Sequence, residues 1–288
     1  MTLATWNVRT LMDNQRSDRP ERRTAFVARE LRRLNIGIAA LQETRLADEG
    51  QLTEVGGGYT FYWKGKDATD HRLYGVGFAV KNELVKDMDN LPVGISERLM
   101  TLQINIGKNR KATLVSAYAP TLMADQEDKE QFYSALDDAV LQIPAADKVV
   151  VLGDFNARVG TDSETWKEVI GKDGVGKVNA NGLMLLTKCA ELGLVITNTL
   201  FRQNNRRKTS WRHPRSGHWH LIDYIITRRR DIADVRITKA INSSDCCWTD
   251  HRLVKTLLTF SIQPQHRRIK RTPRPRFNVN LLQQPAVR

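Results

Sequence analysis

Cysteine is scarce: three in 288 residues, two of them adjacent at Cys246 and Cys247. That spacing makes neither a disulfide framework nor a zinc site, and it points to a reducing, intracellular home. No apolar run approaches the roughly 18 residues that a transmembrane helix needs. The opening MTLATWNVRTL lacks the long apolar stretch of a secretory signal, so no membrane partner is expected. No repeat at a solenoid period is visible. Acid is missing from residue 262 onward, where seven Lys/Arg stand without one Asp or Glu.

What is present suits a large globular core: 41% hydrophobic and 27% charged residues. The net charge is +13, and removing those seven basic residues still leaves a body of +6. Within that body Arg202–Arg215 holds six basic residues and no acid, and Arg228, Arg229 and Arg230 follow. Basic loops of this kind favour a polyanion, because each neutralised phosphate releases counterions. The stretch PQHRRIKRTPRPRF carries three prolines and no core pattern, so residues 262–288 read as a basic Pro/Arg-rich tail or linker. Residues 1–261 read as one domain.

Short β-rich runs recur through that domain: TLATWN, IGIAALQE, GVGFAV, LMTLQINIG, KATLVSAYAP, KVVVLGDFN, GLVITNTL, LIDYIIT and LVKTLLTF. Helical stripes lie between some of them, over 22–34 (Phe26, Val27, Leu31, Leu34), 131–143 and 182–192, the last closed by Gly193. The helices are too few for a fully parallel sheet, so mixed sheets of an α/β protein are expected.

The informative regularity is how the β runs end. TLATW stops on Asn7, IAALQ on Glu43 and LVSA on Tyr118. KVVVLG stops on Asp154 with Asn156 just beyond; Asp223 follows LI, and Asp250-His251 stands directly before LVKTLL. One such residue is an ordinary turn or cap. Six at comparable strand edges describe a scaffold holding a site at its rim. Glu43 and Asp250 are hard oxygen ligands suited to Mg²⁺. Asp154 suits a base or a water-orienting group, with Asn156 beside it. Asp223 and His251 can form a carboxylate–imidazole pair able to meet negative charge on a phosphoryl oxygen, and Tyr118 offers a hydroxyl. These are the parts for metal-assisted phosphoester hydrolysis.

The same residues resemble a family. TWNVRT at 5–10, LQET at 41–44, SAYAP at 116–120, LGDFNARVG at 152–160, IDYII at 222–226 and TDHRLV at 249–254 look like the endonuclease/exonuclease/phosphatase superfamily. Within it the likeness is to the apurinic/apyrimidinic-endonuclease-like domains of non-LTR retrotransposons and to the craniofacial development protein 2 relatives of that origin. The resemblance implies a DNase I-like, four-layer α/β/β/α sandwich of two mixed β-sheets flanked by helices. It implies Mg²⁺, or Mn²⁺ in its place, held by Glu43 with Asn7 and Asp250. Catalysis would fall to Asp154, Asn156, His251, Asp223, Tyr118, Glu43 and Asn7. TSW at 209–211 and the hairpin from Trp211 to His220 resemble the part that meets the DNA minor groove, which nominates Ser210, Trp211, Arg212 and His220 as DNA-binding, with Arg9 and Asn181.

Two departures refine the reading. Arg9 stands where abasic-site repair enzymes carry an acid, and His220 where they carry a Trp; both lean toward the retroelement branch. No Tyr-x-Asp-Asp motif occurs, so a reverse transcriptase of the kind fused downstream in such elements is absent from this chain. The segment Gly171–Lys177 nearly spells a P-loop, yet Val178 replaces its Ser/Thr and a surface loop is expected. His213, His218 and His220 lack a companion Cys or acid and favour DNA contact over zinc.

The resulting expectation is a Mg²⁺-dependent DNA-nicking endonuclease of retrotransposon origin that leaves a 3′ hydroxyl, in a monomeric, intracellular and nuclear protein. Two alternatives stay open. One is a superfamily hydrolase of small phosphoesters or lipid head groups; the other is a domesticated, non-catalytic DNA- or chromatin-binding protein.

Overall fold

The structure is a computed structural model, which describes residues 1–13, 22–107, 110–241 and 248–263. Cys246-Cys247 and the basic tail from 264 onward lie outside the described residues. The first half contains β1 (Thr2–Asn7), α1 (Arg23–Arg33), β2 (Ile38–Gln42), β3 (Glu49–Glu54), β4 (Tyr59–Lys64), β5 (Val76–Lys81), α2 (Asn82–Val85), β6 (Val93–Ser96), β7 (Leu99–Gly107) and β8 (Arg110–Tyr118). The second contains α3 (Gln126–Leu141), β9 (Lys148–Asp154), α4 (Ala180–Glu191), β10 (Leu194–Ile196), α5 (Asn205–Lys208), β11 (Trp211–Arg212), β12 (Trp219–His220), β13 (Asp223–Arg228), β14 (Val235–Ile241) and β15 (Leu253–Leu258).

Two large sheets form, in the orders β14-β15-β1-β2-β5-β4-β3 and β10-β13-β9-β8-β7-β6. Each contains one parallel pair, β1 with β2 and β8 with β9. Parallel neighbours need a crossover, and α1 and α3 supply it. Both sheets are therefore mixed, as the interleaved pattern predicts.

Burial on both faces explains why the strands read as continuous apolar runs. Along β9, Val149 and Val151 join one core cluster while Val150 and Leu152 join another. In β1, Leu3 faces the second sheet and Ala4 and Trp6 face away from it; in β2, Ile38 and Ala40 oppose Ala39 and Leu41. Between the sheets lies one core. A second forms where α1 presses Val27, Ala28 and Leu31 onto the outer face of the first sheet. The third is sealed by Phe132, Leu136 and Val140 of α3 with Leu185, Leu186 and Cys189 of α4. The result is the expected four-layer α/β/β/α sandwich.

Four strands and part of a helix lie outside the sequence expectation. β3, β6 and β14 are sheet edges, each with one face turned outward, which weakens their apolar signal. β4 is a run of aromatics, YTFYWK, rather than of aliphatics. α3 begins at Gln126, since its first turn is polar and exposed. Ile262 packs into the inter-sheet core and the Gln263 N–H donates to Asn105 O at 2.9 Å, so ordered contacts run just past 261. The Gly171–Lys177 segment is a loop, as expected; Asn179 caps α4 by accepting from the Gly182 N–H at 2.8 Å.

One glycine is dictated by close approach. A Cβ at Gly153, just before Asp154, would stand 2.1 Å from the Ala117 carbonyl oxygen on the neighbouring strand. Gly153→Ala is expected to cost about 1–3 kcal/mol through forced separation of β8 and β9. The measurement is the thermal unfolding midpoint by circular dichroism; an unchanged midpoint would show that the strands accommodate a methyl group.

Candidate active site

The parallel and antiparallel registers bring six strand ends to one rim. β1, β2, β8 and β9 arrive by their C-terminal ends, β13 and β15 by their N-terminal ends. Tyr118, Asp154 and Asp223 are cross-strand partners on one rung of the second sheet. On the first sheet Asn7 pairs with Gln42, and Glu43 follows directly. Side chains between the sheets grade from Leu3, Ile38 and Ala40 through Thr5, Gln42 and Ser116 to this rim.

Asp154 is almost wholly buried and fully used. Its Oδ2 accepts from Asn7 Nδ2 at 2.9 Å and its Oδ1 from the Asn156 N–H at 3.0 Å. Asn7 Nδ2 also donates to Glu43 Oε1 at 2.9 Å, while Asn7 Oδ1 accepts from the Arg9 N–H at 2.9 Å. Asn7, expected beside the cation with Glu43 and Asp250, is enclosed and its amide brackets two carboxylates. Asn156 donates its Nδ2 to Ala119 O at 2.9 Å, which fixes the loop beyond β9 rather than leaving the amide free.

Across from Asp154, Asp223 grips His251: Nδ1 lies 3.0 and 3.2 Å from the two carboxylate oxygens, leaving Nε2 3.9 Å from Asp154 Oδ2. The His251 backbone is pinned by Trp6 Nε1, which donates to its carbonyl, and by Thr249, whose Oγ1 accepts from its N–H. Burial, followed by the Asp223 carboxylate, pushes Asp154 up to about 7 despite His251 and the Asn7 and Asn156 hydrogen bonds. Burial alone would pull His251 down, but Asp223, Asp154 and Asp250 outweigh it and carry the imidazole up to about 9. Burial, helped by Glu43 and Asp154, raises the Tyr118 phenol, so it stays protonated as a donor. Its hydroxyl donates to Glu43 Oε1 at 3.1 Å.

Glu43 and Asp250 sit where solvent reaches, their side chains 16% and 30% exposed, and each faces a guanidinium. Arg45 Nη2 lies 2.9 Å from Glu43 Oε2, and Arg9 Nε lies 3.7 Å from Asp250 Oδ1. Both are accessible carboxylates, the hard-oxygen type of ligand that a divalent ion takes. Among the described residues, the acid and imidazole atoms that converge within 4.8 Å of one another belong to Asp154, Asp223 and His251. That group is enclosed. Four non-glycine residues here, Arg9, Glu43, Arg45 and Asn156, have left-handed backbones, φ +57°, +53°, +56° and +47°. Such φ values cluster where a site overrides local preference.

The expected DNA-facing residues divide. Arg9 and Arg212 are exposed, and His220 lies at the rim with its ring 5.9 Å from Trp211. The hairpin from Trp211 to His220 forms as β11 and β12. Trp211, however, donates Nε1 to Asp250 Oδ2 at 3.0 Å and stands 6.2 Å from the His251 ring, so it props both site residues. Ser210 is fully buried; its Oγ accepts from the Ile222 and Asp223 N–H groups at 3.2 and 3.1 Å, which corrects its assignment as a DNA contact. Asn181 is corrected likewise: it is buried, with Nδ2 donating to Pro120 O and Asn156 O, both at 3.1 Å. Arg45, Thr249, Asn198 and the Thr5–Gln42–Ser116 layer escaped sequence reading. Polar side chains inside β runs would have flagged that layer, as in TLATW and ALQE.

A two-sheet sandwich carrying acids, an imidazole and a phenol on one rim defines the DNase I-like class of α/β fold. The chain belongs to the endonuclease/exonuclease/phosphatase family, whose model matches residues 4–251. It is 31% identical over 255 residues to craniofacial development protein 2 of Bos taurus and 30% identical to that of Tragulus javanicus. Those alignments cover 88% of this chain but only 40% and 41% of the relatives, so the chain spans well under half their length. Among solved structures it resembles the Xenopus laevis APE2 catalytic domain, with TM-score 0.65, 17% identity and coverage of 92% and 94% of the two chains. It also resembles the endonuclease domain of TRAS1, a telomere-specific non-LTR retrotransposon, with TM-score 0.57, 16% identity and coverage of 90% and 98%.

The shifts at Asp154 and His251 set a pH dependence in metal-free protein. Both folded values lie above the ordinary 3.8 and 6.5, so the folded domain binds both protons more tightly than the unfolded chain. The Asp154 contribution is complete below 3.8 and lost as pH rises through about 7; that of His251 is complete below 6.5 and lost through about 9. In EDTA the melting temperature should fall from pH 5 to pH 9. Asp154→Asn should raise it by several degrees at pH 8 and by clearly less at pH 5. A gain equal at both pH values would contradict the burial of an ionised Asp154.

Proposed function

We propose that this domain hydrolyses phosphodiester bonds in double-stranded DNA, nicking one strand to leave a 3′ hydroxyl, and that it descends from a retrotransposon endonuclease. The observation that carries the reading is the facing arrangement of Asp154 and the Asp223–His251 pair. An oxygen lying above both could reach Asp154 Oδ2 and His251 Nε2 at ordinary hydrogen-bond length. Asp154, with its proton affinity raised toward neutrality, suits a base that takes a proton from water. The water oxygen bonds to phosphorus as the P–O3′ bond breaks, leaving a 5′ phosphate, and the 3′ oxygen gains a proton from the medium. His251 donates from Nε2 to the phosphoryl oxygen on which charge builds, and Asp223 keeps that ring charged and oriented. Tyr118, held protonated, is a second donor. Bound at Glu43 and Asp250, a divalent ion such as Mg²⁺ would neutralise phosphate charge.

Support for a polymer substrate comes from the basic stretch Arg202–Arg215, which leads into the hairpin beside the site. Support for DNA comes from the TRAS1 likeness and from a further structural neighbour, a 3′ phosphatase from Neisseria bound to product DNA hairpin, with TM-score 0.61 and 18% identity. Action as a monomer in the nucleus belongs to the same reading. So does fusion to a downstream reverse transcriptase in related proteins. No helix of the described residues is long and apolar enough to cross a membrane.

Supercoiled plasmid incubated in Mg²⁺ should be nicked by the wild type and spared in EDTA. Asp154→Ala and His251→Ala should each lower the rate by roughly 10²–10⁴-fold, the usual worth of a general acid or base, with the circular dichroism spectrum retained. Extension of the nicks by a DNA polymerase reads the 3′ hydroxyl. Nicking by Asp154→Ala at the wild-type rate would refute the assignment. Hydrolysis of soluble inositol phosphates without plasmid nicking would move the substrate to small esters, and DNA binding without any hydrolysis would favour a purely binding role.

A further inference from the structure

Arg9 and Arg45 occupy matching places. Each follows a site residue by two positions, Asn7 on β1 and Glu43 after β2, on adjacent parallel strands. Each has a left-handed backbone, φ +57° and +56°, and each lays its guanidinium against a different accessible carboxylate. Both pairs are open to solvent on the arginine side, and they differ in closeness. The Arg9–Asp250 separation is 3.7 Å, with the arginine side chain 53% exposed. Arg45 Nη2 lies 2.9 Å from Glu43 Oε2, with the arginine side chain 37% exposed and, among the described residues, no hydrogen-bond partner for its enclosed Nε. An ion pair that solvent reaches contributes little, so a better cation can displace it. A guanidinium is also well shaped to grip a phosphate by paired hydrogen bonds.

We propose that Arg9 and Arg45 are exchangeable counter-ions. In the metal-free domain they neutralise Asp250 and Glu43; a divalent cation arriving at those carboxylates releases both guanidinium groups to the phosphates flanking the scissile bond. The proposal rests on the reading of Glu43 and Asp250 as cation ligands and of DNA as substrate, and it adds a regulation of the same site. Metal and DNA then help each other: the metal frees two anion-binding arginines, and DNA draws those arginines off the metal's carboxylates. Linkage requires the two effects to be equal in size.

The test is calorimetric titration of Mn²⁺ into the domain, alone and saturated with a short duplex, in an Asp154→Asn background that keeps the DNA intact. The background protein should bind Mn²⁺ about 5-fold or more tightly with DNA present. Arg45→Ala and Arg9→Ala should each tighten Mn²⁺ binding by the free domain by about 2- to 5-fold, by removing a competing cation. In the double variant the ratio of Mn²⁺ affinities with and without DNA should fall toward unity, while Arg45→Lys retains much of it. Free-domain Mn²⁺ affinity unchanged or weakened by the alanine substitutions, or a ratio that survives both, overturns the proposal. Plasmid nicking by the wild type is a separate readout: its absence alongside the predicted Mn²⁺–DNA ratio would overturn the proposed reaction and leave the counter-ion exchange standing.

Discussion

Asn7 Nδ2 donates at once to Glu43 beside its own strand and to Asp154 on the facing sheet, each at 2.9 Å. Two sheets that meet through an apolar core could slide without losing much buried area, because the hydrophobic effect has no direction. A buried amide with both donated bonds fixed cannot slide. That one side chain sets the relative height of the sheets at the rim, and with it the height at which Glu43, Asp154, Tyr118 and His251 meet. The layer beneath repeats the device: Thr5 Oγ1 donates to Gln42 Oε1 at 2.9 Å, and Gln42 Nε2 reaches Ser116 Oγ of the other sheet at 3.3 Å.

Placing charge there works against stability. Asp154 and Asp223 are neighbours on one rung, both enclosed, and only one proton-bearing ring stands between them and mutual repulsion. The chain meets this by pinning the backbone on both sides of the pair. Ser210 accepts from the backbone at Asp223, Asn198 donates Nδ2 to its carbonyl at 3.0 Å, and Trp6 and Thr249 clamp His251. Buried charge that is held rigidly needs no rearrangement when charge develops on a bound phosphate, which is the advantage of a preorganised site. The left-handed backbones at the ends of β1, β2 and β9 are a further expense accepted at the same rim.

Legibility differed by element. β9 was visible because both faces are buried and Val149–Leu152 is an uninterrupted apolar run. β3, β6 and β14 were not, since in each of these edge strands one face turns outward and the pattern blurs into turns. Asp154, Asp223 and His251 were visible because polar groups at the ends of apolar runs have no packing reason to be there. Ser210 and Asn181 show the reverse. Their types suit a phosphate contact, yet their side chains turn inward to satisfy backbone groups, a choice made by the surrounding loops.

Residue order alone settled the composition of the site: which carboxylates, imidazole and phenol end the buried strands, since those positions follow from hydrophobic pattern and chain direction. Pattern alone reached interleaved strands and helices in mixed sheets; the four-layer sandwich came from the family resemblance carried by the motifs. Folding settled the contacts. That Asn7 brackets two carboxylates and that Trp211 reaches Asp250 depend on pairings between residues up to 147 positions apart. Those contacts arise from sheet register and sheet-to-sheet alignment, which no local pattern encodes.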